Sequence, residues 1–381
     1  MTWLTAEEAL AELGTKPQTL YANVSRGRIR AKADPADPRR SLYQESDVKR
    51  LAERHAGRRK SETVAAEAIR WGDPVLASSI STIVAGRLLY RGQDAAALSA
   101  HATLEETARL LWDAQNFSCP PNASPEPASP SIQAALLALA GRAGTDLPSL
   151  GRARSALQAE ACNVLSAVAD VLAPGSADHP LHHRLAMCWG RPDAADCLRI
   201  ALVMLADHEL NASAFAVRVT VSTGASLSAA VLSGLATLTG PLHGSAWRSV
   251  DALAEAAATI GAEQAIRRLL LRGSRPAAFG HQLYPDGDVR AKVLLSTFDV
   301  PAVFLDVQRA GEEMVGEKVN VDFALAAMTA AFGLPEEAPI IIFALARTAG
   351  WLAHAMEQIE SGHLIRPRAR YVGPSPAGPE R

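Results

Sequence analysis

Beyond Lys60 almost every apolar residue falls on helical spacing, and strand signals are few. That pattern directs the body of the chain to an all-α architecture. Helical runs are expected at about 131–142, 151–173, 193–207, 226–238, 248–271, 288–298 and 338–361. They are built from Ala, Leu, Val and Ile, since apolar residues make up 48% of the chain and aromatics only 5%. Alanine favours the helix and lets neighbouring helices approach closely. At 381 residues the chain is long enough for two or three domains and a large core. No stretch reaches the roughly 18 uninterrupted apolar residues that span a membrane. Residues 1–30 carry early acidic residues and no apolar core of secretory type, so a cytoplasmic protein with no membrane partner is expected. Cys119, Cys162, Cys188 and Cys197 form no CxxC pair and no zinc-like spacing, and read as thiols in a reducing compartment. His179, His182, His183 and Cys188 read as a polar loop before a helix, with no metal expected. The Pro/Ser stretch at 117–130 reads as a loop.

Charge divides the chain. Residues 1–60 hold 13 Lys and Arg against 8 Asp and Glu, whereas the remainder holds 25 against 32. A basic head on an acidic body points to two modules with different partners. In the head, Thr5 and Glu8 form a capping box that starts a first helix, and Gly14 ends it. A second helix carries Leu20 and Val24 on one face and stops at Gly27. RIRAK and RSLYQ flank a Pro/Asp-rich tip as two short strands, and a last helix begins near ESDV. This order is similar to the winged helix-turn-helix of the MerR and excisionase families. The resemblance implies a DNA-facing second helix and wing, with Lys16, Gln18, Arg26, Arg28, Arg30, Arg39 and Arg40 on phosphates. The alternative is a module at 1–60 that only packs or helps oligomerise.

Three strings in the second half carry the chemistry: GPLHGSA around His243, AFGHQLYPDGDVR at 278–290, and NVDF with Asp322. Each sets one proton-handling side chain beside glycines or a turn, where a ligand can approach the backbone. Two histidines and a carboxylate suit a reaction that removes a proton from carbon and polarises two carbonyls. ADHELNAS at 206–213, FALARTAGWLAHAMEQ at 343–358 and the YRG segment near Tyr90 complete the series.

In this order and at this spacing the strings resemble the citrate synthase family, from roughly residue 70 to Arg370. The resemblance implies a homodimer or higher homo-oligomer of helical chains. It divides the chain into a large domain at 61–242, a small domain at 243–329 and the large domain's C-terminal part at 330–381. It implies condensation of acetyl-CoA with oxaloacetate and water to give citrate and CoA, with acyl-CoA as substrate and no cofactor. Asp322 would be the base, His243 would donate to the thioester oxygen, and His281 would polarise the ketone of oxaloacetate. His208, Arg290, Arg347 and, from the neighbouring subunit, Arg366 would hold the two carboxylates, a task for which bidentate arginine is suited. His208 and Arg347 are expected from the large domain, His281 and Arg290 from the small one.

The chain departs from the family pattern at Ser245, Trp247 and Gln282, on the coenzyme side of the site. Two further readings therefore stand beside the first. One is 2-methylcitrate synthase using propionyl-CoA, since one methylene gives only ~1–3 kcal/mol of discrimination. The other is a DNA-binding regulator whose synthase domain senses a metabolite.

Overall fold

In the computed structural model the described residues are 3–13, 17–25, 29–34, 37, 40–49, 76–114, 130–176, 178–244, 246–369 and 371–373. They fall into two compact units, Met1–Ala77 and Ser78–Arg381. Both are mostly helical, with one small sheet each.

The first unit starts with the expected capping box. Thr5 N–H donates to Glu8 Oε2 at 2.8 Å and Glu8 N–H to Thr5 Oγ1 at 3.3 Å, which opens the helix Ala6–Leu13. The helix Pro17–Ser25 follows, and strands Ala31–Ala33 and Ser41–Gln44 pair antiparallel. Trp3–Leu4 adds a third strand on the outer side of Ser41–Gln44, a pairing too short to be read from two residues. Ala9, Leu13, Leu20, Ile29, Tyr43 and Val48 form this unit's own core, with Leu4 packed on it. Arg30, expected on phosphate, grips the buried Asp47 through Nε and a terminal nitrogen at 2.8 and 3.0 Å. Arg40 is exposed and ion-paired to Asp37, and Gln18 is exposed. Lys16, Arg26, Arg28 and Arg39 lie outside the described residues.

The second unit is organised by one helix, Ala338–Ser361. Residues 338 to 356 are buried without a break, because apolar side chains occupy every face. The helices Leu104–Leu111, Arg154–Leu172, Ala195–Leu205, Ala212–Ser222 and Leu227–Leu238 pack around it. By length and composition it could cross a membrane, yet it is a core helix here. The helical run expected at 248–271 is two helices, Trp247–Ile260 and Ala262–Leu271, meeting at Gly261. Ser81–Val84, Arg87–Tyr90 and Gln93–Asp94 form an antiparallel sheet that was not expected. Its strands are too short for an alternating pattern to stand out. Cys162 is buried and disulfide-bonded, which corrects its reading as a thiol; the spacing of the four cysteines carries no signal of that bond. Cys188 and Cys197 are free.

This unit has two apolar cores. The larger lies around the central helix, and the smaller is built from Trp247–Ile260, Ala262–Leu271, Ala302–Val315 and Val321–Phe332. The helix Val321–Phe332 is a shared wall. Val321, Ala324, Leu325 and Met328 face the larger core, while Phe323, Ala326 and Ala327 face the smaller. In the smaller core Phe323 meets Phe279 at 6.4 Å and Phe304 at 5.5 Å between ring centroids. The Cζ end of the Phe279 ring also points at Gly311, where a Cβ would come within 1.9 Å of it. Gly311→Ala is therefore expected to displace Phe279 and destabilise the chain by about 1–3 kcal/mol. Denaturant unfolding measures it, and an unchanged midpoint would show that the ring has room to move.

Candidate active site

The strings at 278–290 and 318–323 form one piece of structure. Gly280 N–H donates to Lys318 C=O at 2.8 Å, and Asn320 N–H to Ala278 C=O at 3.0 Å. Asn320 then works with its side chain. Its Nδ2 donates to Ala277 C=O at 2.7 Å, and its Oδ1 accepts from Asp322 and Phe323 N–H at 3.2 and 3.3 Å, capping the helix that carries Asp322. Gly280, at φ 78°, turns the chain into His281, and a Cβ there would strike the Glu317 carboxylate.

Asp288 joins the same piece to the next helix. It caps Val289–Leu295, and its two oxygens take Nε and a terminal nitrogen of Arg290 at 2.9 and 2.8 Å. Oδ2 also accepts Val321 N–H at 3.1 Å. Burial opposes the charge on Asp288, but Arg290 outweighs it and holds the carboxyl below its usual range. In return Asp288 overcomes burial and raises Arg290 above the usual arginine value. The helix Val289–Leu295 buries Ala291 and Leu294 in the larger core, and its Leu295 also packs against the smaller one.

Three rings gather beside this joint. His208 Nε2 is 3.1 Å from Tyr284 Oη, and the His208 and His281 rings are 5.0 Å apart, edge to face. The Arg290 guanidinium lies over Tyr284 at 5.5 Å. Burial, then Arg290, Arg347 and His281, push the His208 pKa well down. Burial and Arg290 bring His281 to about 4. His281 is thus neutral at pH 7, and Leu283 N–H donates to its Nδ1 at 3.2 Å. The ring proton then sits on Nε2, which makes that atom a hydrogen-bond donor.

Asp322 is the carboxyl of the cluster whose charge depends most on its surroundings. Burial, aided by Asp288 and opposed by Arg290, raises its pKa to about 6. Arg347 is 1% exposed on the central helix and donates from Nε to Leu205 C=O at 3.1 Å. Burial and Arg290 lower its pKa to about 10, against the opposing pull of Asp207, and it remains a cation at neutral pH. His243 is half-buried, and burial with Arg347 brings it to about 4. Its Nε2 lies 2.9 Å from Ser213 Oγ, which accepts from Trp351 Nε1 at 3.1 Å and donates to Asn211 Oδ1 at 2.7 Å. That leaves Nδ1 of His243 for a ligand.

His208, His243, His281, Arg290, Asp322 and Arg347 are thus linked by contact or by the charges that set one another's ionisation. Arg366 is not. It is exposed in the irregular segment after the central helix, and it is not among the groups that perturb the cluster. Of the coenzyme-side departures, Trp247 is buried in the larger core and Gln282 is exposed, while Ser245 lies outside the described residues. Tyr284, Asp288 and Ser213 were not singled out from sequence. Asp288 had one visible signal, a capping residue just before a helical run. The arrangement supplies a half-buried carboxylate with its pKa raised to about 6, neutral imidazoles and two buried guanidiniums.

The family model for the citrate synthase C-terminal domain matches residues 152–368. A citrate synthase of Haloferax volcanii is 39% identical over 191 residues, 47% of this chain and 50% of that protein. A 2-methylcitrate synthase of Shewanella oneidensis is 31% identical over 208 residues, 51% of this chain and 56% of that protein. The chain therefore spans about half the length of the curated relatives it matches. Citrate synthase from Thermotoga maritima superposes with a TM-score of 0.65 at 24% identity, over 81% of this chain and 96% of that one. The enzyme from Thermoplasma acidophilum, solved as a ternary complex with carboxymethyl coenzyme A and oxaloacetate, gives 0.64 at 21% identity, over 80% and 95%. With more than half of its length matched by the family model, and with this fold, the chain belongs to the citrate synthase family.

Proposed function

We propose that the chain condenses an acyl-CoA with oxaloacetate and water, releasing CoA and forming citrate when the acyl group is acetyl. The observation that carries this reading is Asp322, a half-buried carboxylate with its pKa near 6, set among neutral histidines and buried arginines. Asp322 takes a proton from the methyl carbon beside the thioester. His243 donates to the thioester oxygen as charge develops there. The tautomer that does this carries its proton on Nδ1, with Nε2 accepting from the Ser213 hydroxyl. The new enol carbon bonds to the ketone carbon of oxaloacetate, and the ketone oxygen takes a proton from His281 Nε2. Water then cleaves the citryl thioester. Arg290, Arg347 and His208 hold the carboxylates, and Arg366 completes the set from a second copy in a homodimer.

The domain division at 242 and 329 fits the two cores in outline, with the helix of Arg290 crossing between them. A winged helix-turn-helix over residues 1–60 is proposed from the two helices, the antiparallel strand pair and the separate core among its described residues. Acetyl-CoA is the preferred substrate of this reading. The Shewanella oneidensis relative favours propionyl-CoA as the second. Thiol release from each acyl-CoA with oxaloacetate decides between them by kcat/KM, and no release from either refutes the reading.

Asp322→Asn is expected to lower kcat by a factor of ~10²–10⁴ while oxaloacetate still binds, because the arginines are untouched. Steady-state kinetics with calorimetry checks both halves, and near-normal kcat would remove Asp322 from its role. The pH profile follows from the same group. The base works ionised, so kcat/KM should rise with pH through about 6. His243 and His281 lose their protons near 4 and add no limb above that value. A profile flat across the Asp322 value would contradict the assignment.

A further inference from the structure

Glu209 follows His208 directly, and its backbone is left-handed, at φ 51°. A residue with a side chain stays there only when its surroundings hold it. The holding bonds all come from the strand Ser81–Val84. Glu209 Oε1 accepts Ile83 N–H at 2.8 Å and Thr82 Oγ1 at 3.3 Å, and Glu209 N–H donates to Ser81 Oγ at 2.9 Å. Ser81 Oγ in turn donates to Asp207 Oδ2, on the other side of His208. Ser81–Val84 is a sheet edge, so the outward N–H of Ile83 has no strand to meet, and the Glu209 carboxylate takes that place. The sheet itself is anchored. Ser79 N–H and Oγ donate to Glu357 Oε1 on the central helix at 2.7 and 2.9 Å, and Tyr90 Oη donates to Val203 C=O at 2.9 Å.

Both backbone neighbours of His208 are therefore tied to one strand that takes no part in the chemistry. We infer that Glu209, latched to Ser81–Val84, is a positioning residue that sets His208 against Tyr284 and His281. This rests on the reading of His208 as a ligand of oxaloacetate. Glu209→Ala is expected to lower kcat/KM for oxaloacetate by about ten- to a hundredfold, mainly through KM, as a small misplacement does. Glu209→Gln keeps an oxygen for Ile83 N–H and should restore it. Glu209→Gly frees the left-handed turn but loses the latch, so it should be as poor as Glu209→Ala. The ¹⁵N resonance of the His208 ring, identified by its loss in His208→Gln, should move in the Ala and Gly variants and not in Gln. Three results overturn the inference: normal kinetics and resonance in Glu209→Ala, wild-type behaviour of Glu209→Gly, or Glu209→Gln as impaired as Glu209→Ala. Should the wild-type chain release no thiol, the activity reading fails, and the resonance comparison alone decides the positioning role.

Discussion

Asp288 is the joint on which the site depends. One carboxylate starts the helix Val289–Leu295, fixes the Arg290 guanidinium in a fork and receives the first N–H of the helix that carries Asp322. A buried carboxylate is tolerable only with such partners, since burial alone would neutralise it. The pair also acts outward. Arg290 lowers the pKa of His208 and His281 and restrains the rise at Asp322, while Asp288 adds to that rise. The ion pair thus biases the protonation of three groups whose pKa values burial shifts first.

The position of the Asp322 helix gives that electrostatics its setting. Its two faces belong to two cores, so the carboxylate sits in its first turn at the boundary between them. Burial follows from this wall position, and burial is the main cause of the raised pKa. The same logic holds for Arg347, which lies on the most deeply buried helix of the chain and carries its charge there beside Asp207. Buried Asp207 is in turn held ionised, against burial, by His354, Arg347 and Ser81.

Much of this was legible in the residue order. The Ala-rich helical spacing, the capping box at Thr5 and the long helix over 338–361 are local signals, while the set His208, His243, His281, Arg290, Asp322 and Arg347 is what the family resemblance implies. Each local signal is set by propensity, turn chemistry or a short motif, and those properties act over a few residues. The resemblance to the family rests on short strings too.

What only the tertiary structure decided is every feature that depends on distant residues meeting. The edge strand at 81–84 latches a turn at 207–209, and the helix of Arg290 meets both cores. Arg30, still exposed, pairs with the buried Asp47. Ionisation belongs here too, because a pKa is set by burial and by charges brought near in space. Sequence names the carboxylate at 322, and the packed cores with Asp288 bring its pKa to about 6.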